Sequence, residues 1–166
     1  MKKLTLCILL FCLILPCFGC SNQESVKTPV LYYYCRSELS YDGAGSVITP
    51  EQRESAGHEE DIPYLLGQYL SGPKSSTLLQ TFPTGTKLVS FTLEEKEAEV
   101  ILNDGFAELS GMELTIACAC ITMTVTGLTE AETVHIRTES ELLNNMEKIT
   151  MSKDDLLLFD SSAATD

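Results

Sequence analysis

The sequence predicts a mixed α/β fold, an α+β sandwich in one domain. Three observations carry that prediction. Val30–Ser37, "VLYYYCRS", is dense in aromatic and β-branched residues; "DIPYLLGQYLSGP" carries a cap, an apolar face and a stop; and "GTKLVSFTLEEKEAEVILNDGF" alternates on both sides of a polar turn.

Val30–Ser37 reads as a buried strand. "YDGAGSVITPEQRE" is turn-rich and reads as an ordered excursion. In the next segment Asp61 can cap a helix, Pro63 is tolerated in its first turn, and Glu59 and Glu60 suit the positive end of the dipole. Leu65, Leu66, Tyr69 and Leu70 then form one apolar face, and Gly72-Pro73 ends the helix. In the hairpin Leu88, Ser90 and Thr92 alternate with Val89, Phe91 and Leu93. Glu94 to Glu97 make the turn, and Ala98, Val100 and Leu102 answer on the return strand.

The following segment, "ELTIACACITMTVTGLTE", supports two readings. Leu114, Ala117, Ile121, Thr124 and Leu128 make a helical stripe. "ITMTVT" alternates strictly and is rich in threonine, which favours a strand over Ile121–Thr126. "TVHIRTES" is a strand, "MEKITMSKDDLLLFD" a further extended piece or hairpin, and 161–166 a loose tail.

In this order the elements resemble the GerMN domain, the module of sporulation and spore-germination lipoproteins. The carrying residues run from "LYYYC" through "YLLGQYLSGP", "FPTGTKLVSFTL" and "EVILNDGF" to "MTVTGLTEAETVHIRT", covering Val30 to Thr138. The resemblance implies a helix from about Gly111 to Val125 in place of the strand. It implies a small mixed sheet with two helices on one face, in β-α-β-β-α-β order, similar to the ring-building domains of secretion systems. This chain departs from the family at Asn103-Asp104-Gly105, where an aspartate-leucine pair is usual, and in the loop from Ser40 to Glu60. It also has room for one copy where many members carry two.

Ahead of the domain, Lys2 and Lys3 precede an apolar run from Leu4 to Phe18, 15 residues that fall short of the ~20 of a spanning helix. Residues 1–19 read as a signal peptide. Gly19-Cys20 followed by "SNQESVKTP" resembles a bacterial lipoprotein signal, which makes Cys20 the lipid attachment site and 20–29 a polar tether. The domain then spans 30–160. Cys17 stands where an aliphatic residue is usual, so a plain signal-peptidase cut at the same bond is the alternative, and an uncleaved anchor helix a further one.

Without residues 1–19, nine Lys and Arg face 24 Asp and Glu, a net charge of −15. Such a chain repels phosphate backbones, which excludes nucleic acid as a partner, and it needs a tether to stay at an anionic membrane. Of seven cysteines only Cys35, Cys118 and Cys120 lie beyond Cys20. Three is an odd number, and they read as small buried apolar residues, with a pairing of Cys35 to either of the others left open.

No nucleophile-base arrangement, paired-carboxylate motif or phosphate loop can be picked out, so no enzyme, cofactor or metal site is expected. His58 in "GHEED" could join Glu59 and Asp61 around a cation, but a solvated helix entry explains it as well; His135 alternates on its strand towards solvent or a polar contact. The expected function is a non-catalytic protein–protein interaction module of the envelope. It would be lipid-anchored on the outer face of the cytoplasmic membrane of a Gram-positive, spore-forming-type bacterium. Its partners would be other envelope or sporulation proteins, with self-association a further option. The alternative is a surface lipoprotein binding a small ligand or divalent cation.

Overall fold

The computed structural model describes residues 29–37 and 47–156. In chain order these form strands β1 (Pro29–Cys35) and β2 (Ile48–Glu54), helix α1 (Ile62–Leu70), the hairpin β3 (Leu88–Glu94) and β4 (Glu97–Leu102), a 3-10 turn at Asp104–Glu108, helix α2 (Gly111–Leu128), and strands β5 (Thr133–Thr138) and β6 (Ile149–Ser152). The mixed α+β class is as expected. All six predicted elements are present in the predicted order.

Two features refine the predicted single sheet. The turn-rich excursion contains β2, which pairs antiparallel with β1 from Pro29↔Glu54 to Cys35↔Ile48. These two strands form their own sheet. The other sheet has the order β3-β4-β5-β6, and its pairings are antiparallel, parallel and antiparallel. The parallel pair β4 and β5 is joined through α2, as a parallel pair requires a crossover.

α1 follows its sequence signals. Asp61 accepts from Tyr64 N at 3.0 Å, Pro63 sits in the first turn, and Leu65, Leu66, Tyr69 and Leu70 are buried. Gly72 ends it at φ +99°, a left-handed conformation that favours glycine.

α2 is the helix that the family resemblance implied, and it extends to Leu128. The strand preference of Ile121–Thr126 is overruled by burial: every residue from Ala117 to Val125 is buried. A helix satisfies its own backbone there, whereas a strand would need a partner on each edge. Leu114, Ala117, Cys118, Ile121 and Val125 face the main core, while Ala119, Cys120 and Met123 pack with Ile48 in a second cluster. The helix is apolar enough in composition to cross a bilayer, but its place is between the layers of this core. Its threonines are used or tolerated: Thr124 Oγ1 accepts from Tyr33 N at 3.0 Å, and Thr122 Oγ1 is buried without a hydrogen-bond partner.

An aromatic row ties the layers together. Tyr34 lies 5.0 Å from Tyr69, Tyr69 5.1 Å from Phe82, and Phe82 6.4 Å from Phe106, centroid to centroid. Both tyrosine hydroxyls reach carbonyls, Tyr34 to Tyr69 O at 2.7 Å and Tyr69 to Tyr33 O at 3.0 Å, which makes their burial tolerable.

Candidate functional site

A groove of about 810 Å³ lies between α1 and β3. Pro63, Gly67 and Leu70 form one wall; Leu88, Val89 and Phe91 form the other. Gly67 stands mid-helix with nothing within 4 Å of a Cβ built on it, so this wall is low and open.

The α1 wall is held by a charged network from β2. Arg53 is 8% exposed and donates to Glu51 Oε2 at 2.6 Å, Gln68 O at 3.2 Å, Gly72 O at 2.6 Å and Tyr34 Oη at 3.3 Å. Its guanidinium also lies 5.0 Å from the Tyr32 ring centroid. It therefore supplies the cation that the C-terminal end of α1 lacks in its own last turn. Glu51 in turn accepts from Lys74 N at 2.9 Å and Ser75 N at 2.7 Å, fixing the chain just beyond the helix. Burial would raise the Glu51 carboxyl pKa. The Ser75 amide and the Arg53 guanidinium outweigh that and hold it below the usual glutamate value.

The β3 wall is shaped by a β-bulge. Leu88 pairs with Leu102 and Ser90 with Ile101, so Val89 is the extra residue. Strict alternation grouped Leu88 with Ser90 and Thr92. The bulge instead brings Leu88 onto the face of Phe91, where both pack against the core, and leaves Val89 45% exposed. Leu93 is also exposed, at 40%. The far end of the groove is fastened by Asn103, whose side chain accepts from Lys87 N at 2.8 Å and donates to Gly85 O at 3.1 Å. Its neighbour Asp104 accepts from Ser140 N at 2.9 Å and Glu141 N at 3.2 Å. The departure from the family at 103–105 thus gives a side-chain clamp.

The residues singled out in sequence fall elsewhere. Cys20, the proposed lipid site, lies outside the described residues, as does the tail at 161–166. His58 stacks on Tyr64 at 3.8 Å and stands 3.7 Å from Asp61, while Glu59 accepts from Ser55 Oγ at 2.5 Å. The loop therefore brings His58 and Asp61 together but turns Glu59 to its own partner. No group of three His, Cys, Asp or Glu among the described residues could hold a metal ion. His135 makes polar contacts on the open sheet face, with Thr150 Oγ1 at 2.8 Å and Glu97 Oε2 at 3.3 Å. Cys35, Cys118 and Cys120 are free and buried, and burial pushes their thiols up, Cys118 to about 12. They are poor nucleophiles in the folded chain. Sequence reasoning missed Arg53 and Glu51, whose spacing within "PEQRE" was the available sign that a polar strand turns one face inward.

Comparison with known proteins places the fold. A family profile described as Germane, sporulation and spore germination, matches residues 30–144. The chain is similar in structure to the tandem GerMN domains of the sporulation protein GerM from Bacillus subtilis, with TM-score 0.56 and 19% identity over 80% of this chain. It spans 47% of that protein's chain. It is also similar to a protein from Clostridium perfringens described as a candidate lipoprotein, with TM-score 0.50 and 18% identity over 78% of this chain and 89% of that one. Curated proteins give no match.

Proposed function

The chain belongs to the Germane family of sporulation and spore-germination domains, and on that footing we propose that it is a non-catalytic interaction module held at the cell envelope. It acts on the outer face of the cytoplasmic membrane, anchored through a diacylglyceryl group on Cys20, and it contacts another envelope or sporulation protein. The observation that carries this reading is an arrangement along the chain. The family match begins at residue 30, ten residues after a cysteine that closes a leader with a charged start and an apolar run. Three further features support it. The groove is lined by aliphatic, aromatic, hydroxyl and amide side chains and by Lys87; the family domain's thiols are buried; and the tether from 20 to 29 reaches about 30 Å when extended, enough to lift the domain clear of headgroups.

Two measurements test it. Intact mass spectrometry of membrane fractions from wild type and Cys20→Ser should find a diacylglyceryl mass on a chain starting at Cys20, absent from the variant. An unmodified chain starting at Cys20 would make the protein secreted, and an uncut one would make the leader an anchor. Crosslinking of the membrane-held protein should capture an envelope protein, and repeated failure to capture any would reject the interaction reading.

A further inference from the structure

We propose that Cys35 and Cys120 are a dithiol pair that closes to a disulfide and staples β1 to α2, with Cys118 left as a thiol. This goes beyond the envelope-partner reading and does not depend on it.

Cys35 and Ile48 are directly opposed in the antiparallel pair β1–β2, so their side chains share one face of that sheet. Ile48 packs with Cys120 in the second cluster, whereas Cys118 faces the main core. Thr81 Oγ1 accepts from Cys35 N at 3.4 Å and lies within hydrogen-bonding reach of the Cys120 thiol. Register agrees. Tyr33 N donates to Thr124 Oγ1 at 3.0 Å, while Cys35 shares a hollow with Ile116 and Glu113, nearer the start of the helix. β1 and α2 therefore run in opposite directions. Two residues forward along a strand advance about 6.6 Å, and four residues back along a helix about 6 Å. The step from Tyr33 to Cys35 thus matches the step from Thr124 to Cys120. Burial first, and then the Cys35 thiol, push the Cys120 pKa up, whereas burial alone raises that of Cys118.

Cys35 is the residue that an oxidant reaches. It is 8% exposed and lines a hollow of about 320 Å³ with Leu79, Thr81, Phe82 and Ile116, whereas Cys120 has no exposed surface. The oxidant is a small-molecule disulfide. The Cys35 thiolate attacks one of its sulfurs, and the other half leaves as a thiolate that takes up the proton Cys35 gave up. The Cys120 thiolate then attacks Cys35 Sγ and releases the second half, which takes up the proton of Cys120. Two cysteine thiols are oxidised to one disulfide, and the oxidant is reduced to two thiols. The bond fixes β1 against α2 at one register and closes the chain from Cys35 to Cys120 into a loop, which restrains the unfolded state.

The test exposes the folded full chain, in detergent micelles, to 2-hydroxyethyl disulfide. Remaining thiols are then blocked with N-ethylmaleimide under denaturing conditions, and the peptides are mapped by mass spectrometry. A peptide pair joined through Cys35 and Cys120 is expected, two hydrogens lighter than its reduced parts, with N-ethylmaleimide on Cys118. Cys118→Ala should retain the link. Cys120→Ala should abolish it and leave Cys35 as a mixed disulfide with the probe. The linked protein should unfold at a urea midpoint higher by about 1 M or more, a shift that dithiothreitol reverses. Circular dichroism verifies that both alanine variants fold. A folded chain that forms no link would overturn the proposal, and so would a link shared evenly between Cys118 and Cys120, the pattern of an unfolded chain. A link that fails to raise the midpoint would overturn its role as a staple.

Discussion

Two regions of the domain contain arginine–glutamate pairs of the same chemistry in opposite settings. In the corner between β2 and α1, the Arg53 and Glu51 side chains are 6% and 10% exposed, and every polar atom they bring in is answered by the other side chain or by a carbonyl, a hydroxyl or an amide. On the open face of the main sheet, Arg137 reaches Glu99 across parallel strands at 3.0 Å, with 35% and 37% exposure. Water can take over either side of the second pair when the other is removed. It cannot do so in the corner. The difference teaches that the charge pair that matters for folding is the one that holds two elements together and has no solvent to fall back on.

That contrast can be broken by substitution. Arg53→Met should destabilise the domain by about 3–5 kcal/mol in urea unfolding, because it strands a buried carboxylate and leaves the Gly72 carbonyl without its side-chain donor. A loss below about 1 kcal/mol would mean the corner opens to water and is no different from the sheet face. Tyr34→Phe keeps the ring and removes one hydroxyl between Arg53 and Tyr69 O; it should cost about 1 kcal/mol. Arg137→Ala should change stability by less than about 0.5 kcal/mol.

Acid sharpens the same comparison. Glu51 has a lower pKa folded than unfolded, so its contribution is complete above the ordinary glutamate value. It is lost as pH falls through the lower folded value. Wild type should therefore lose stability over that acid range more steeply than Glu51→Gln, whose amide can still accept from Lys74 N or Ser75 N. Parallel pH profiles for the two proteins would show that Glu51 is not held as the geometry indicates.

The same contrast explains what could be read in the sequence. α1, the β3–β4 hairpin and β5 were legible because their signals are local: Asp61 and Gly72 mark the ends of a helix, and Ala98, Val100 and Leu102 mark a face. β2 was not, because "ITPEQRE" contains one aliphatic residue, Ile48, and a proline. It is a strand because of β1 beside it and the carbonyls of α1 that Arg53 reaches, none of which is near in sequence. α2 needed the family resemblance, since threonine-rich alternation and a helical stripe coexist there and only burial from Ala117 to Val125 separates them. The groove was legible in its parts and not in its shape. Its helix and strand could be read, but one inserted residue, Val89, decides which side chains line it.

The three buried thiols have a use that follows from their silence. Cys35 lies in β1, while Cys118 and Cys120 sit on α2, and burial keeps all three protonated in the folded state. Cys118 and Cys120 have no exposed surface, so an alkylating reagent reaches them only when the layers part, and the contrast with Cys35, which keeps a little, makes labelling a clock for opening. If β1 peels away before α2 is released, Cys35 will be modified while the helix pair stays protected. Equal rates for all three would mean that strand and helix come free in one event. The chain thus contains its own probe of the order in which it comes apart.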